Sequence, residues 1–213
     1  MGKITVVLSG DPKRKRLCER VADWYRKIPI VKEVFLLYER NPAIAFNKGA
    51  RMASCDVVFC AGGDVLVRPS DVFKMANEVK EEEVLFLVST RHKSKKRILF
   101  QSGAFAVKKS TIIRHPIPEK PDFMEEVYWM EERRLNFKPY FGELYHIHRH
   151  AFSHIFKMST YRWRERVRLR KRSRLIFYIG CVKLFFESIK IYLEERREGV
   201  KFPLNTSYYE EDS

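Results

Sequence analysis

The stretch NKGARMASCDVVFCAGGDVLVRP, which runs from Asn47 to Pro69, decides the fold class of this chain of 213 residues. A short helical pattern leads into the apolar run Val57 to Phe59, and Gly62-Gly63-Asp64 follows soon after. In open α/β sheets, ligands lie beyond the carboxyl ends of strands, where glycines let a ligand approach the backbone. The stretch therefore predicts a buried strand, Asp56 to Ala61, with Asp64 as a candidate ligand on the metal or phosphate side.

The residues around this stretch alternate between strand and helix patterns, which predicts an α/β fold with a mostly parallel sheet and right-handed crossovers. A Pro-rich connection, an acidic helix and a short strand are expected after Ser110. The predicted strands are Lys3 to Leu8, Val31 to Tyr38, Asp56 to Ala61, Val84 to Ser89, Ile98 to Val107 and Tyr140 to Tyr145. The predicted helices are Pro12 to Lys27, Ala43 to Ala53, Ser70 to Lys80 with Ser70 as N-cap, and Phe123 to Phe137.

Composition predicts one domain with a tail, because 45% hydrophobic content supports one substantial core. The four cysteines show no CxxC spacing, and the opening apolar run is too short for a signal peptide. These features predict a reduced, cytoplasmic protein. Charged residues make up 32% of the chain, and Gln101 is its single glutamine, a bias that favours a thermophilic source.

The net charge of +15 is concentrated near the carboxyl end. Tyr161 to Arg174 carries seven Arg and one Lys against one Glu, a net charge of +7. The apolar segment Leu175 to Leu193 follows and is interrupted by Lys183, Glu187 and Lys190. Three charges argue against a membrane span and favour a helix that lies in the interface of an anionic membrane or packs on a partner, although snorkelling lysines would also permit a tilted insertion.

Nucleic-acid binding is a competing interpretation of this basic segment, because its arginines alternate with Tyr161 and Trp163. A nucleic-acid arm does not need the apolar segment that follows, so nucleic acid is the less favoured partner. The organisation predicted from these patterns is a domain at 1–157, a basic helical membrane-association segment at 158–200 and an acidic flexible tail at 201–213.

Two clusters of polar side chains are candidates for chemistry. His146, His148 and His150 alternate along an extended segment, where imidazoles on one face can ligate a metal or contact an anion. Glu131 and Glu132 belong to an acidic helix that also carries Glu125 and Glu126, and one such carboxylate can serve as a general base. Solvated polar surfaces are the alternative interpretation of both clusters. GxxxxGK[ST], GxSxG and HExxH motifs do not occur, nor does GxGxxG after the first strand.

In their order along the chain, these features resemble the GT-A fold glycosyltransferases of the family 2 type and the carboxyl-terminal half of galactosyltransferases. The family's pattern places Asn and Gly on a helix, an apolar strand ending in D-x-D, and a proline five residues later, which correspond here to Asn47-Lys48-Gly49, Gly62-Gly63-Asp64 and Pro69. Gly62 stands where the pattern has its first Asp. A small-residue strand edge at Ser102-Gly103-Ala104, the Glu131-Glu132 pair and a histidine at a strand end complete the resemblance, which covers Lys3 to Ser153.

The resemblance implies a three-layer α/β/α sandwich and transfer of a sugar from a nucleoside-diphosphate donor to a glycan or lipid-linked acceptor. It implies Mn²⁺ or Mg²⁺ on Asp64 with His146 or His148, and Glu132 or Glu131 as the base. The donor contacts that it implies are Ser9, Gly10, Glu39, Asn47, Gly62, Gly63, Gly103 and Ala104. With the basic segment, it implies an enzyme peripheral to the inner face of the cell membrane; a GT-A-like domain that binds without catalysis is the alternative.

Overall fold

The computed structural model describes residues 2–89, 103–119, 129–130, 135–146, 156, 160, 163–164, 167–168 and 174–198. The strands of these residues are β1 Ile4–Ser9, β2 Val31–Leu37, β3 Val57–Gly62, β4 Val65–Val67, β5 Glu83–Ser89, β6 Ala104–Lys108, β7 Asn136–Gly142 and β8 Leu144–His146. The α-helices are α1 Lys15–Arg26, α2 Pro42–Met52, α3 Pro69–Glu78, α4 Lys109–Arg114 and α5 Arg174–Glu198, and a 3-10 turn, Pro12–Arg14, precedes α1.

A six-stranded sheet in the order β2-β1-β3-β6-β5-β7 forms the centre of the molecule. Its neighbouring strands pair in parallel except at β6, which runs antiparallel to both β3 and β5. The prediction of a mostly parallel α/β sheet is therefore confirmed. A second sheet consists of β4 and β8, which pair antiparallel.

Helices cover both faces of the large sheet, which gives the predicted three layers. Successive residues of a strand point to opposite faces, and Val6 of β1 accordingly packs with α1 and α3 while Val7 packs with α2 and α4. The fully buried Tyr25 of α1 lies in the first of these cores. Strands buried on both faces explain the continuous apolar runs that the sequence shows in β1 and β3.

The predicted N-cap of α3 was wrong. The helix begins at Pro69, with Arg68 in the N-cap position and no side-chain capping bond, so Ser70 lies inside the first turn. Proline is well suited to the first helical position because its missing N–H has no intrahelical partner there. α2 also begins with a proline, Pro42, but its N-cap residue does form a capping bond. The Asn41 side chain accepts a hydrogen bond from the Ile44 N–H at 2.9 Å.

The second half of the fold differs most from prediction. Of the strand predicted at Ile98 to Val107, the described part contains β6, which begins at Ala104, and α4, which the sequence patterns did not predict, follows it directly. Asn136 and Phe137, predicted as the end of a helix, belong to β7, which pairs in parallel with β5. The single strand predicted at Tyr140 to Tyr145 is divided between β7 and β8, and residues 90–102 and 120–128 lie outside the described part.

α5 packs through one side and exposes apolar residues on another. Leu184 and Ser188 are buried, and the Trp163 indole N–H donates to the Phe177 carbonyl at 3.1 Å. Large apolar side chains are nevertheless exposed along the helix, among them Leu175, Tyr178, Ile179, Val182 and Phe186. Within the residues described, no helix combines the length and apolar character needed to cross a bilayer.

Gly49 of α2 is expected to tolerate no side chain. A Cβ at Gly49 would lie 2.3 Å from Cγ1 of Val7 in the adjacent β1. Alanine normally stabilises a helix interior by about 1 kcal/mol relative to glycine, but the overlap with β1 should reverse the sign. Gly49→Ala should lower the free energy of unfolding by about 1–3 kcal/mol, as core overpacking does. Chemical denaturation measures this change.

Gly2→Ala is the matched control for this prediction, because a Cβ at Gly2 meets nothing within 4 Å. It should leave the free energy of unfolding within about 0.5 kcal/mol of the wild-type value. If the Gly49→Ala protein is as stable as the wild type, the interface between α2 and β1 has room for a methyl group at position 49.

Candidate active site

A tight turn connects β3 to β4 and carries Asp64. Gly63 and Asp64 form the turn, and Asp64 is half-buried at the carboxyl end of β3. The Gly63 N–H donates to the Ser9 carbonyl at 2.7 Å, and Ser9 is paired with Gly62. The carboxyl ends of β1 and β3 therefore meet at one edge, as a ligand site of an open α/β sheet requires.

Small residues allow the chain segments to converge at this edge. A Cβ at Gly63 would lie 2.9 Å from Sγ of Cys18 and 3.0 Å from Cα of Gly10, and a Cβ at Gly10 would lie 2.6 Å from the ring of Tyr38. The Gly62 N–H donates to the Gly103 carbonyl at 3.0 Å, and Ala104 pairs with Ala61. Of the predicted donor contacts, the structure thus brings Ser9, Gly10, Gly62, Gly63, Gly103 and Ala104 together.

A side chain at position 62 would lie close to the Asp64 carboxylate. A Cβ there would lie 2.9 Å from Oδ1 of Asp64 and 3.2 Å from Cγ2 of Val65. The Asp64 carboxylate thus occupies space beside Gly62 into which a side chain at position 62 would extend. A second carboxylate at 62 would also place like charges close together, which disfavours ionisation of both.

The pairing of β4 with β8 brings a predicted metal ligand to the same place. Val65 is paired with His146 in the antiparallel register, and Asp64 directly precedes Val65. Residues paired in this way have Cα atoms about 4.5–5.5 Å apart. The backbone of His146 therefore lies beside the turn that carries Asp64. His148 lies outside the described residues, so its predicted role stays a prediction.

The donor chemistry of Asp64 and His146 fits a divalent cation such as Mn²⁺, which accepts carboxylate oxygens and imidazole nitrogen. Among the described residues no group of three His, Cys, Asp or Glu side chains forms a complete metal cage. A cation there needs further oxygen ligands, which a diphosphate and water can supply. The residues present thus suit a cation that binds together with a phosphorylated ligand.

Asn47 and Glu39 make other contacts. The buried Asn47 amide donates from Nδ2 to the Ile117 carbonyl at 2.8 Å and accepts at Oδ1 from the Ile117 N–H at 2.9 Å. These contacts hold the 115–119 segment on α2 and give Asn47 a structural role. Glu39 forms an ion pair with Lys48 at 2.7 Å. The predicted donor contacts of both residues stay predictions.

Electrostatics at this edge also involve the thiol of Cys18, which no sequence motif marks. Burial raises the pKa of Cys18, and the negative charge of Asp64 contributes in the same direction. The thiol therefore stays protonated and unreactive beneath the Gly63 turn. Because a helical cysteine carries no sequence signal for such a position, only the fold reveals it.

An apolar pocket lies on the face of the sheet covered by α2. Its cavity volume is about 40 Å³, its mouth is open to solvent, and Met130 stands in its wall. Trp129 is buried and donates from Nε1 to the His115 carbonyl at 2.9 Å. Glu131 and Glu132, the predicted base, follow directly in sequence but lie outside the described residues. The lining residues are Pro42, Ala43, Phe46, Val84, Phe86, Phe105, Ile117, Trp129, Met130 and Phe137.

Known structures resemble this fold at low sequence identity. A glucosyl-3-phosphoglycerate synthase from Mycobacterium tuberculosis, solved with Mg²⁺ and UDP, aligns with a TM-score of 0.58 at 11% identity over 81% of this chain and 80% of that one. A mannosyltransferase from Pyrobaculum calidifontis, solved with GDP-Man and Mn²⁺, aligns with a TM-score of 0.56 at 10% identity over 98% and 82%. A nucleotidyl transferase from Methanothermobacter thermautotroptrophicus aligns with a TM-score of 0.50 at 13% identity, over 66% of this chain and 87% of that one.

The sequence matches the profile of one protein family. A comparison with curated proteins yields no match. The profile of glycosyl transferase family 2, however, matches residues 2–136, which include β1 to β6 and the turn that carries Asp64. The chain therefore belongs to glycosyl transferase family 2 and is a glycosyltransferase with the GT-A fold.

Proposed function

We propose that this glycosyltransferase uses a nucleoside-diphosphate sugar, which binds at the carboxyl edge of β1 and β3, with a divalent cation on its diphosphate. One observation carries the proposal: β8 pairs with β4 so that His146 lies opposite Val65, beside Asp64. The structures from M. tuberculosis and P. calidifontis contain UDP with Mg²⁺ and GDP-Man with Mn²⁺, respectively, which supports the same kind of donor here.

Asp64 and His146 would hold the cation, and His148 is a further candidate ligand. When bound, Mn²⁺ or Mg²⁺ supplies positive charge that stabilises the leaving diphosphate. The chain's own contribution is a preformed edge, because the Gly63 N–H bond to Ser9 fixes the turn before the donor arrives. Gly10, Gly62 and Gly103 add no side chains of their own to this edge, which favours approach of a donor to the backbone.

Glu132, or Glu131 beside it, would accept the proton of the attacking hydroxyl. Both follow Trp129, which is fixed by its hydrogen bond to the His115 carbonyl. The Asn47 amide fixes Ile117 in the same segment. These two contacts fix Ile117 and Trp129, and they would help to position the base that follows for its approach to the acceptor hydroxyl.

The acceptor would be lipid-linked or a glycolipid presented at an anionic membrane surface. Exposed apolar residues of α5 follow a segment with a net charge of +7, a combination suited to insertion between anionic headgroups. The proposed site of action is the inner face of the cell membrane.

Donor binding tests the proposal directly. Purified protein would be incubated with UDP-, GDP- and dTDP-sugars, with Mn²⁺ or with EDTA, while unfolding temperature and nucleotide release are recorded. One nucleotide class should raise the unfolding temperature in the presence of Mn²⁺, and EDTA should remove the effect. The same donor should release its nucleoside diphosphate slowly.

Two results would contradict the proposal in different ways. If no donor changes the unfolding temperature or is hydrolysed, the site is not a nucleotide-sugar site. If a nucleotide stabilises the protein but turnover stays at the level of a boiled sample, the chain is a binding domain without catalysis.

A further inference from the structure

A buried carboxylate on α3 holds the turn between β7 and β8. Asp71 is 8% exposed and lies in the first turn of α3. Its Oδ2 accepts the Glu143 N–H at 2.7 Å, and its Oδ1 accepts the Tyr140 hydroxyl at 3.1 Å. Buried carboxylates need such donors, and here both donors come from the β7–β8 region.

Further contacts attach the same turn to the start of α3. The Arg68 N–H donates to the Glu143 carbonyl at 3.1 Å, so the N–H and the carbonyl of Glu143 are both bound. A Cβ at Gly142 would lie 2.7 Å from Oδ2 of Asp71, so the carboxylate fits only against a glycine. Burial and the charge of Asp71 raise the pKa of Tyr140 well above its usual value, so its hydroxyl remains a donor at neutral pH.

The two strands of the small sheet are held by different means. In β4, the carbonyl of Val65 accepts the hydroxyl of the buried Tyr25 at 3.2 Å, which ties β4 to α1. β8 has only three residues, and its pairing is with β4 alone among the described strands. A two-stranded ribbon of this length is marginal by itself, so β8 relies on the turn that precedes it as well as on Leu144, which is buried in the core.

We propose that Asp71 is a positioning residue for the metal site. By fixing the β7–β8 turn on α3, it sets the register in which His146 stands opposite Val65 and beside Asp64. This inference rests on the proposed function, because it assigns Asp71 to the placement of a metal ligand rather than to stability alone.

The test compares Mn²⁺ affinity with stability in matched variants. The dissociation constant of Mn²⁺ would be measured by electron paramagnetic resonance in the presence of the nucleoside diphosphate that stabilises the wild type. Asp71→Ala should weaken Mn²⁺ binding about tenfold or more, a typical effect of losing a residue that orients a ligand. Asp71→Asn should remain within about threefold, because its amide oxygen still accepts the Glu143 N–H.

Glu83→Gln is the control for a general loss of stability. Glu83 is 4% exposed and pairs with Lys138 across β5 and β7, at the opposite end of these strands from β8. It should lower the unfolding temperature but leave Mn²⁺ affinity unchanged. Adding Asp71→Ala to a His146→Ala protein should cause no further loss of Mn²⁺ affinity, because both changes act on one ligand.

The outcomes separate this inference from the proposed function. Absence of Mn²⁺ binding by the wild type with every nucleotide would overturn the proposed metal site and this inference with it. Normal wild-type binding, with Asp71→Ala less stable but equal in Mn²⁺ affinity, would overturn only the inference. Equal weakening of Mn²⁺ binding by Glu83→Gln and by Asp71→Ala would also overturn the inference.

Discussion

Replacing Asp64 by alanine is expected to lower kcat/KM for sugar transfer by about 100-fold or more, because the leaving diphosphate loses charge stabilisation that acts in the transition state. Asp64 is the acidic residue of the turn at the carboxyl end of β3, and Gly62 leaves no second carboxylate in the D-x-D pattern. Loss of this one carboxylate should therefore lower kcat/KM more than the loss of one of two carboxylates would. Release of the nucleoside diphosphate from the preferred donor, at saturating Mn²⁺, measures the effect.

Asp56 provides a matched control at the other end of β3. It is exposed and directly precedes the amino end of β3, whereas Asp64 follows the carboxyl end. Asp56→Ala removes the same group and should leave kcat/KM within about twofold, as surface substitutions do. Asp64→Ala activity that also stays within twofold would exclude Asp64 from the metal site.

Local patterns were sufficient to predict the edge that carries Asp64. The apolar run of β3 and the helical pattern before it are local signals, so the strand predicted at Asp56 to Ala61 lies at Val57–Gly62, one residue later. The sequence patterns did not predict β4, which follows the turn. Family resemblance added the significance of Gly62. It did not reveal that Oδ1 of Asp64 lies where a side chain at 62 would extend, since that depends on how the turn closes.

Residues that act through distant contacts were not predictable in the same way. Asn47 lies in a recognisable pattern, but the partner of its amide is Ile117, seventy positions later. Asp71 looked like an ordinary residue at a helix start, and its partners Tyr140 and Glu143 come from a region whose strands were misassigned. β7 follows an acidic helical pattern and becomes a strand because β5 offers it an edge, a case of tertiary context deciding strand formation.

Replacing three exposed apolar residues of α5 is expected to weaken membrane binding strongly. Leu175, Ile179 and Phe186 are 67%, 62% and 65% exposed, and helical spacing places them on one side of α5. Each apolar side chain contributes roughly 1 kcal/mol or more when it leaves water. The triple change to serine should thus lower the partition constant for anionic vesicles about 100-fold. Flotation with vesicles of phosphatidylserine and phosphatidylcholine measures this constant.

Ile113→Ser distinguishes the α5 surface from exposed apolar residues in general. Ile113 is 48% exposed on α4, and its replacement by serine should not alter vesicle binding.

The basic segment at 161–174 should make flotation of the wild type depend on charge. Flotation should decrease as salt rises, because salt screens exposed charges, and it should fail on vesicles of phosphatidylcholine alone. Wild-type protein that never floats but is retained by RNA would assign the segment to nucleic acid instead. The wild-type protein could instead never float and form dimers that the triple variant converts to monomers. That result would make α5 a contact between two copies of the chain. Either result would exclude membrane binding.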